Sequence, residues 1–369
     1  MHILADGLMP LVEALFSHFA TVERFDGRQP PADALARADA LLVRSVTRVD
    51  EALLSQAHNL SFVGTATIGT DHLDLPALKR RGIAVSAAPG CNADAVADYV
   101  LSATLNWLAL SGEEPRGLTV GVVGVGNIGS RVSRRLNALG FRVLHCDPPR
   151  AERGELDSTD LAELLPQVDL LTLHVPGGAG TRAMIGQEQL ALLPQGALVI
   201  NASRGDVIDG TALKAWLVAG RGQAVLDVFE NEPDIDLELL ELCWLATPHI
   251  AGHSIEGKYR GTWMLYEACC EHMGRLVSGS LEQHLPEPAV LGVTLGQGAE
   301  QLKSLTALMR LAYDIRDDDH WFRQGLAAGQ TFDALRKAYP KRRELGAIKV
   351  WSDNKALEPL RAWGLQLQH

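Results

Sequence analysis

The sequence predicts an α/β protein built on open parallel sheets. Three observations carry that expectation: short apolar runs alternate with amphipathic helical stretches, a glycine-rich turn joins one such run to a helix, and several runs end in polar residues. With 369 residues, 47% of them hydrophobic, the chain can fill two or three cores.

The opening reads β-α-β, with Met1 to Ala5 as a strand, Pro10 to Phe19 as a helix and Ala40 to Arg44 as a second strand. Phe62 to Gly64 follows as a third, leading into Thr65-Ala66-Thr67-Ile68-Gly69-Thr70, and Gly82 to Ser86 as a fourth. Asn92 is placed to cap a long helix whose apolar residues run from Val96 to Leu110. The segment Glu113-Glu114-Pro115-Arg116-Gly117 ends it.

Thr119 to Val123 then opens a second set of strands, followed at once by Gly124-Val125-Gly126-Asn127-Ile128-Gly129 and a helix over Ser130 to Leu139. In that setting the first glycine makes the turn, the second admits a pyrophosphate to the backbone, and the third packs helix on sheet. Glycine turns also occur for packing alone. Here the next strand, Arg142 to Cys146, ends at Asp147, about 20 residues beyond the glycines, where an acid can bond ribose hydroxyls. Together they predict a dinucleotide site, and Asp147 would repel a 2'-phosphate, so NAD is expected over NADP.

Further strands fit Leu170 to His174, Ala197 to Asn201 and Ala224 to Val228. Ligands of open α/β sheets lie at the carboxyl ends of strands, which directs Asn201 to Arg204 and Asp227 to Glu232 toward the cofactor crevice. Arg204, Glu232 and His249 then form a chemically complete set. A guanidinium can grip a carboxylate by two parallel bonds, an imidazole can take a hydroxyl proton, and a carboxylate can tune that imidazole. Such a set serves hydride removal from a 2-hydroxy acid, for which a dinucleotide supplies the hydride acceptor.

Composition excludes several classes. The formal net charge of −11 argues against a nucleic-acid surface and requires local basic residues to draw in an anion. No signal peptide and no stretch of about 20 apolar residues is visible, so neither secretion nor a membrane is expected. The five cysteines show no CxxC spacing, which suits a reducing cytoplasm. His249 and His253 have the spacing of a helical metal pair, but Pro248 and Gly252 oppose a helix, and no metal is expected.

With these motifs in order from Phe62 to Glu267, including Asp227-Val228-Phe229-Glu230-Asn231-Glu232-Pro233 and Pro248-His249, the chain resembles the D-isomer-specific 2-hydroxyacid dehydrogenase family. The resemblance implies that Arg204 binds the substrate carboxylate and that Glu232 supports His249 as acid/base. It also implies a Rossmann NAD-binding domain over 96–267, inserted in a flavodoxin-like substrate domain formed by 1–95 and 268–285. A small C-terminal α+β dimerisation domain over 286–369 would make a homodimer.

Finer runs resemble a branch of that family acting on a phosphorylated four-carbon acid: Leu42 to Thr47, Gly64 to His72, Ala87 to Ala93, Cys146 to Arg150, and Glu256-Gly257-Lys258. By that resemblance Ser45, Thr67 and Gly69 touch substrate, while Asp147, Val175, Ala202, Asp227 and Gly252 touch NAD. His253 stands where the branch has a substrate-binding tyrosine, and as a cation it would add a pH dependence that a phenol lacks. Arg44 is the first candidate for the phosphate, with Arg48, Lys258 and Arg260 as rivals. Two other readings stay open, a 3-phosphoglycerate-type dehydrogenase and a non-catalytic NAD-sensing, co-repressor-like protein.

From Trp263 a helix is expected over Tyr266 to Leu276. Beyond Pro286-Glu287-Pro288, helices fit Gln301 to Leu311 and Phe332 to Ala338, and a strand fits Ile348 to Trp351. The basic run around Arg336-Lys337 and Lys341-Arg342-Arg343 is expected on a solvated helix face or a subunit contact.

Overall fold

A computed structural model describes residues 1–368 and divides into two compact units. The first comprises Met1–Asn92 and Ser254–Glu287, the second Ala93–His253 and Pro288–His369.

In the first unit, β1 (His2–Asp6), β2 (Thr21–Phe25), β3 (Ala40–Val43), β4 (Phe62–Thr65) and β5 (Ala84–Ser86) form a parallel sheet in the order β2-β1-β3-β4-β5. That is the flavodoxin-like order. The sequence reading missed β2. It is an edge strand paired only with β1, and its Glu23 and Arg24 break the apolar run that marked its neighbours. The helix Ile255–His272 packs its Leu265, Tyr266, Cys269 and Cys270 in the same core as Ile3, Ala5 and Leu42. It starts well before the expected Tyr266, capped by Ser254, whose Oγ accepts from Gly257 N at 2.8 Å. Its early glycines and polar residues disguised it as loop. The expected boundary at residue 267 falls inside this helix, all of which groups with the first unit.

The second unit holds β6 (Thr119–Val123), β7 (Arg142–Cys146), β8 (Leu170–Leu173), β9 (Ala197–Asn201), β10 (Gly222–Leu226) and β11 (Leu245–Ala246), all parallel in the order β11-β10-β9-β8-β6-β7. The chain leaves β6 to one side for β7 and returns to the other for β8, so the glycine turn after β6 sits at the topological switch point. The helix Ala93–Ser111 is buried on nearly every face. Leu305, Leu308, Met309 and Trp363 share its core, and Arg310 donates from Nε and Nη2 to Asn106 Oδ1 at 3.0 and 2.7 Å. Asn92 does precede this helix, but among the described residues its Oδ1 has no hydrogen-bond partner, so it does not cap it.

The C-terminal segment contributes the helices Leu302–Ala312, Ile315–Ala327 and Phe332–Ala338 and a parallel sheet of β12 (Gly292–Thr294), β13 (Lys349–Trp351) and β14 (Gln366–Gln368). The helix Ile315–Ala327 went unread because Arg316 to His320 is a wholly polar stretch. Among the contacts that fix the segment within the unit, Trp363, fully buried, donates from Nε1 to Arg135 O at 3.1 Å, and Ala246 N donates to Asp319 Oδ1 at 2.7 Å. The basic run is not uniformly solvated, since Arg342 is buried. Among the described residues no helix is long and apolar enough to cross a membrane.

Candidate active site

The glycine turn has the geometry that dinucleotide binding requires. Gly124 adopts φ 83°, and a Cβ there would lie 2.6 Å from His174 O; one at Gly129 would lie 2.0 Å from Gly124 O. A Cβ at Gly126, in contrast, would meet no atom within 4 Å. Gly126 precedes the helix Asn127–Leu139, whose first turn has no side-chain cap, so its N–H groups remain available beside an open space. Asn127 and Ile128 open that helix, which therefore suits a pyrophosphate.

Asp147 stands at the end of β7, with Val125 N donating to its Oδ2 at 2.8 Å and Arg150 N to its Oδ1 at 3.1 Å. Those bonds aim the carboxylate over the glycine turn. Val175 follows β8 and packs close to Gly124. His174 bonds Thr172 Oγ1 through Nε2 at 2.9 Å, and burial pushes its pKa down to about 3, so it stays neutral.

Arg204 owes its place to Asn201. The Asn201 side chain accepts from Ser203 N and Oγ at 3.0 and 2.7 Å and donates to Arg204 O at 2.9 Å, closing the turn that carries Ala202. Gly205 then passes against the neighbouring loop so tightly that a Cβ would lie 1.9 Å from Phe229 O. This contact sets the Arg204 loop directly on the loop that bears Glu232. The glycine of the Asn-Ala-Ser-Arg-Gly run is thus a steric requirement.

His249 and Glu232 meet directly, Nδ1 to Oε2 at 2.7 Å, and the other carboxylate oxygen accepts from Phe229 N at 2.9 Å. Both side chains are partly shielded, 29% and 19% exposed. Burial pushes the Glu232 pKa up, but the hydrogen bond and charge of His249, with Phe229 N and the more distant Arg336, outweigh it and hold the carboxyl below the usual value. His249 adopts the left-handed φ of 55°, a conformation costing about 1 kcal/mol or more in a residue with a Cβ.

Asp227 holds that turn. Its Oδ1 accepts from Thr247 Oγ1 and Ile250 N, both at 2.7 Å, and its Oδ2 from Ala251 N at 2.9 Å, while Tyr99 OH lies 2.9 Å from Thr247 Oγ1. Burial raises the Asp227 pKa against the lowering pull of His249 and these donors. Gly252 and His253 complete the turn, with His253 N donating to Ile250 O at 2.7 Å. Sequence reasoning missed Asn201, Thr247 and Tyr99 as organisers; Asn201 alone had a signal, its short polar side chain ahead of a turn.

The substrate candidates of the first unit lie at the carboxyl ends of β3 and β4. Thr67 Oγ1 donates to Gly69 O at 2.9 Å and lies 2.7 Å from Thr65 Oγ1, which in turn lies 2.9 Å from His72 Nε2. Ser45 is exposed, and Arg44 donates from Nε to the buried Asp6 Oδ1 at 2.9 Å. Among the described residues, no group of three or more His, Cys, Asp or Glu is arranged to hold a metal.

Residues 95–251 match the family described as D-isomer-specific 2-hydroxyacid dehydrogenase, NAD-binding domain, and residues 284–364 match a domain of unknown function. The erythronate-4-phosphate dehydrogenase of Pseudoalteromonas translucida is 48% identical over 99% of both chains, and that of Azotobacter vinelandii is 48% identical over 95% of this chain and 94% of its own. Among solved structures, the D-lactate dehydrogenase of Aquifex aeolicus, complexed with NAD and lactic acid, superposes with TM-score 0.63 at 26% identity, covering 75% of this chain and all of its own.

Proposed function

Because the chain belongs to the erythronate-4-phosphate dehydrogenase family, a branch of the D-isomer-specific 2-hydroxyacid dehydrogenases, we propose that it oxidises 4-phospho-D-erythronate at C2. The products are 2-oxo-3-hydroxy-4-phosphobutanoate, NADH and a proton, a step toward pyridoxal 5'-phosphate. Bound NAD supplies the hydride acceptor.

The observation that carries the assignment is the 2.7 Å contact between His249 Nδ1 and Glu232 Oε2. With Nδ1–H donating to the carboxylate, Nε2 is the nitrogen left to accept the C2 hydroxyl proton, and the adjacent negative charge stabilises the imidazolium that results. Arg204 serves the C1 carboxylate, fixing C2 for transfer. Gly124, Gly126, Asn127, Ile128 and Gly129 are assigned to the pyrophosphate, Asp147 to the ribose, and Val175, Ala202, Asp227 and Gly252 to the rest of the dinucleotide. Ser45, Thr67, Gly69, His253 and Arg44 are assigned to the remaining substrate, Arg44 to its phosphate. A cytoplasmic homodimer completes the reading, and light scattering on the purified protein checks the dimer.

The deciding experiment compares kcat/KM on 4-phosphoerythronate, 3-phosphoglycerate, glycerate and lactate. The first should exceed the others by at least about 10²-fold, since polar groups built for a phosphate stay unpaired without it. A preference for an unphosphorylated acid rejects the phosphate assignment.

A further inference from the structure

Arg342 is 8% exposed, although it belongs to a run of charged residues. Its Cζ lies over the Tyr313 ring, 3.9 Å from the centroid. Nη2 donates to Ala95 O at 3.1 Å and to Ala251 O, and Nε donates to His253 O at 3.3 Å. One planar fork therefore gathers three backbone carbonyls, two of them on the turn that follows His249. Around it, the hydroxyls of Tyr313 and Tyr339 both donate to Asp318 Oδ2, at 2.8 and 2.7 Å, and Leu345 N donates to Asp98 Oδ2 at 2.9 Å.

Ala251 is thereby held from both ends. Its N–H is bonded to Asp227 and its carbonyl to Arg342. His249 lies two residues earlier in a left-handed backbone conformation, so the direction of its imidazole depends on where this turn is pinned. Asp227 pins it from the sheet. Arg342 pins it from the C-terminal segment.

We propose that Arg342 is a positioning residue for the dehydrogenase reaction, fixing the Ala251–His253 backbone so that the His249 ring faces its proton partner. The proposal rests on the acid/base reading of His249. It gives the C-terminal segment a part in turnover.

The test assays Arg342→Lys and Tyr339→Phe beside His249→Ala, measuring kcat, KM for NAD and substrate, the pH profile of kcat and the thermal midpoint. Arg342→Lys keeps the charge and loses the fork; kcat should fall roughly 10- to 100-fold, with a displaced pH profile, because small misplacements of a reacting group are expensive in rate. Tyr339→Phe removes one of two bonds to Asp318 and should lower kcat roughly two- to five-fold in the same sense, which decides the matter if the lysine variant does not fold. A purely structural Arg342 would lower the thermal midpoint and leave kcat per folded molecule and its pH profile unchanged. That result in the variants that fold, with His249→Ala inactive, overturns the positioning role alone. Turnover by His249→Ala overturns the acid/base reading beneath it.

Discussion

The carboxyl ends of the two large sheets present polar residues in opposite states of commitment. At the ends of β9 and β10, Asn201 and Asp227 each bond neighbouring backbone through both side-chain polar atoms, and Glu232 divides its two oxygens between Phe229 N and the His249 ring. After β3, among the described residues, Thr47 Oγ1 is buried with no hydrogen-bond partner, and Arg44 has one bonded nitrogen, Nε on the Asp6 carboxylate. A proton carrier needs a fixed direction, which a lattice of internal bonds supplies. A donor set meant for an anion needs hydrogens that the fold has not already used.

Four substitutions break or sharpen that contrast. His249→Ala strikes the committed end, and the rate of NADH formation should fall about 10³-fold while dinucleotide affinity, measured by fluorescence titration, stays within about threefold. Equal turnover would remove the distinction altogether.

Glu232→Gln keeps the shape and loses the charge, and kcat should fall about 10²-fold. It also has a signature in stability. The Glu232 carboxyl is held below the usual glutamate value in the folded protein, so its contribution is present above that usual value and is lost as pH falls through the lower folded-state value. Acid unfolding followed by circular dichroism should therefore show a weaker pH dependence below about 4.5 in the variant.

At the uncommitted end, Arg44→Lys can keep the pairing with Asp6 while losing the planar fork. KM for the phosphorylated acid should rise about tenfold, and KM for unphosphorylated erythronate should not move. A change in both would make Arg44 a structural residue. His253→Tyr should have the smallest effect, with turnover within about threefold, and activity above about pH 7 should rise relative to wild type. Superimposable pH profiles would remove His253 from the phosphate assignment.

What could be read from the sequence was local. The glycine turn, Asp147 and the Asn201-to-Gly205 run lie in short patterns at strand ends, where periodicity and turn chemistry coincide. Arg204, Glu232 and His249 stood out because hydride chemistry needs those residue types. The bonds that orient them did not, since Tyr99 reaches Thr247 across 148 positions and Arg342 reaches Ala251 and Ala95 across 91 and 247. No pattern in a short window encodes a guanidinium seeking carbonyls so far away. Strand β2 and the start of the helix Ile255–His272 were hidden for another reason, because an edge strand and a glycine-containing first turn lack a periodic apolar face.

The all-round burial of Ala93–Ser111 also orders the birth of the molecule. The ribosome releases this helix long before it makes Leu305, Leu308, Met309 and Trp363, the residues that share its core. Until synthesis passes residue 363, one flank of the nucleotide-binding sheet's longest helix stays wet and adhesive, an invitation to chaperones and proteases. The tail is therefore a seal over apolar surface that a chain ending before Leu305 would leave exposed.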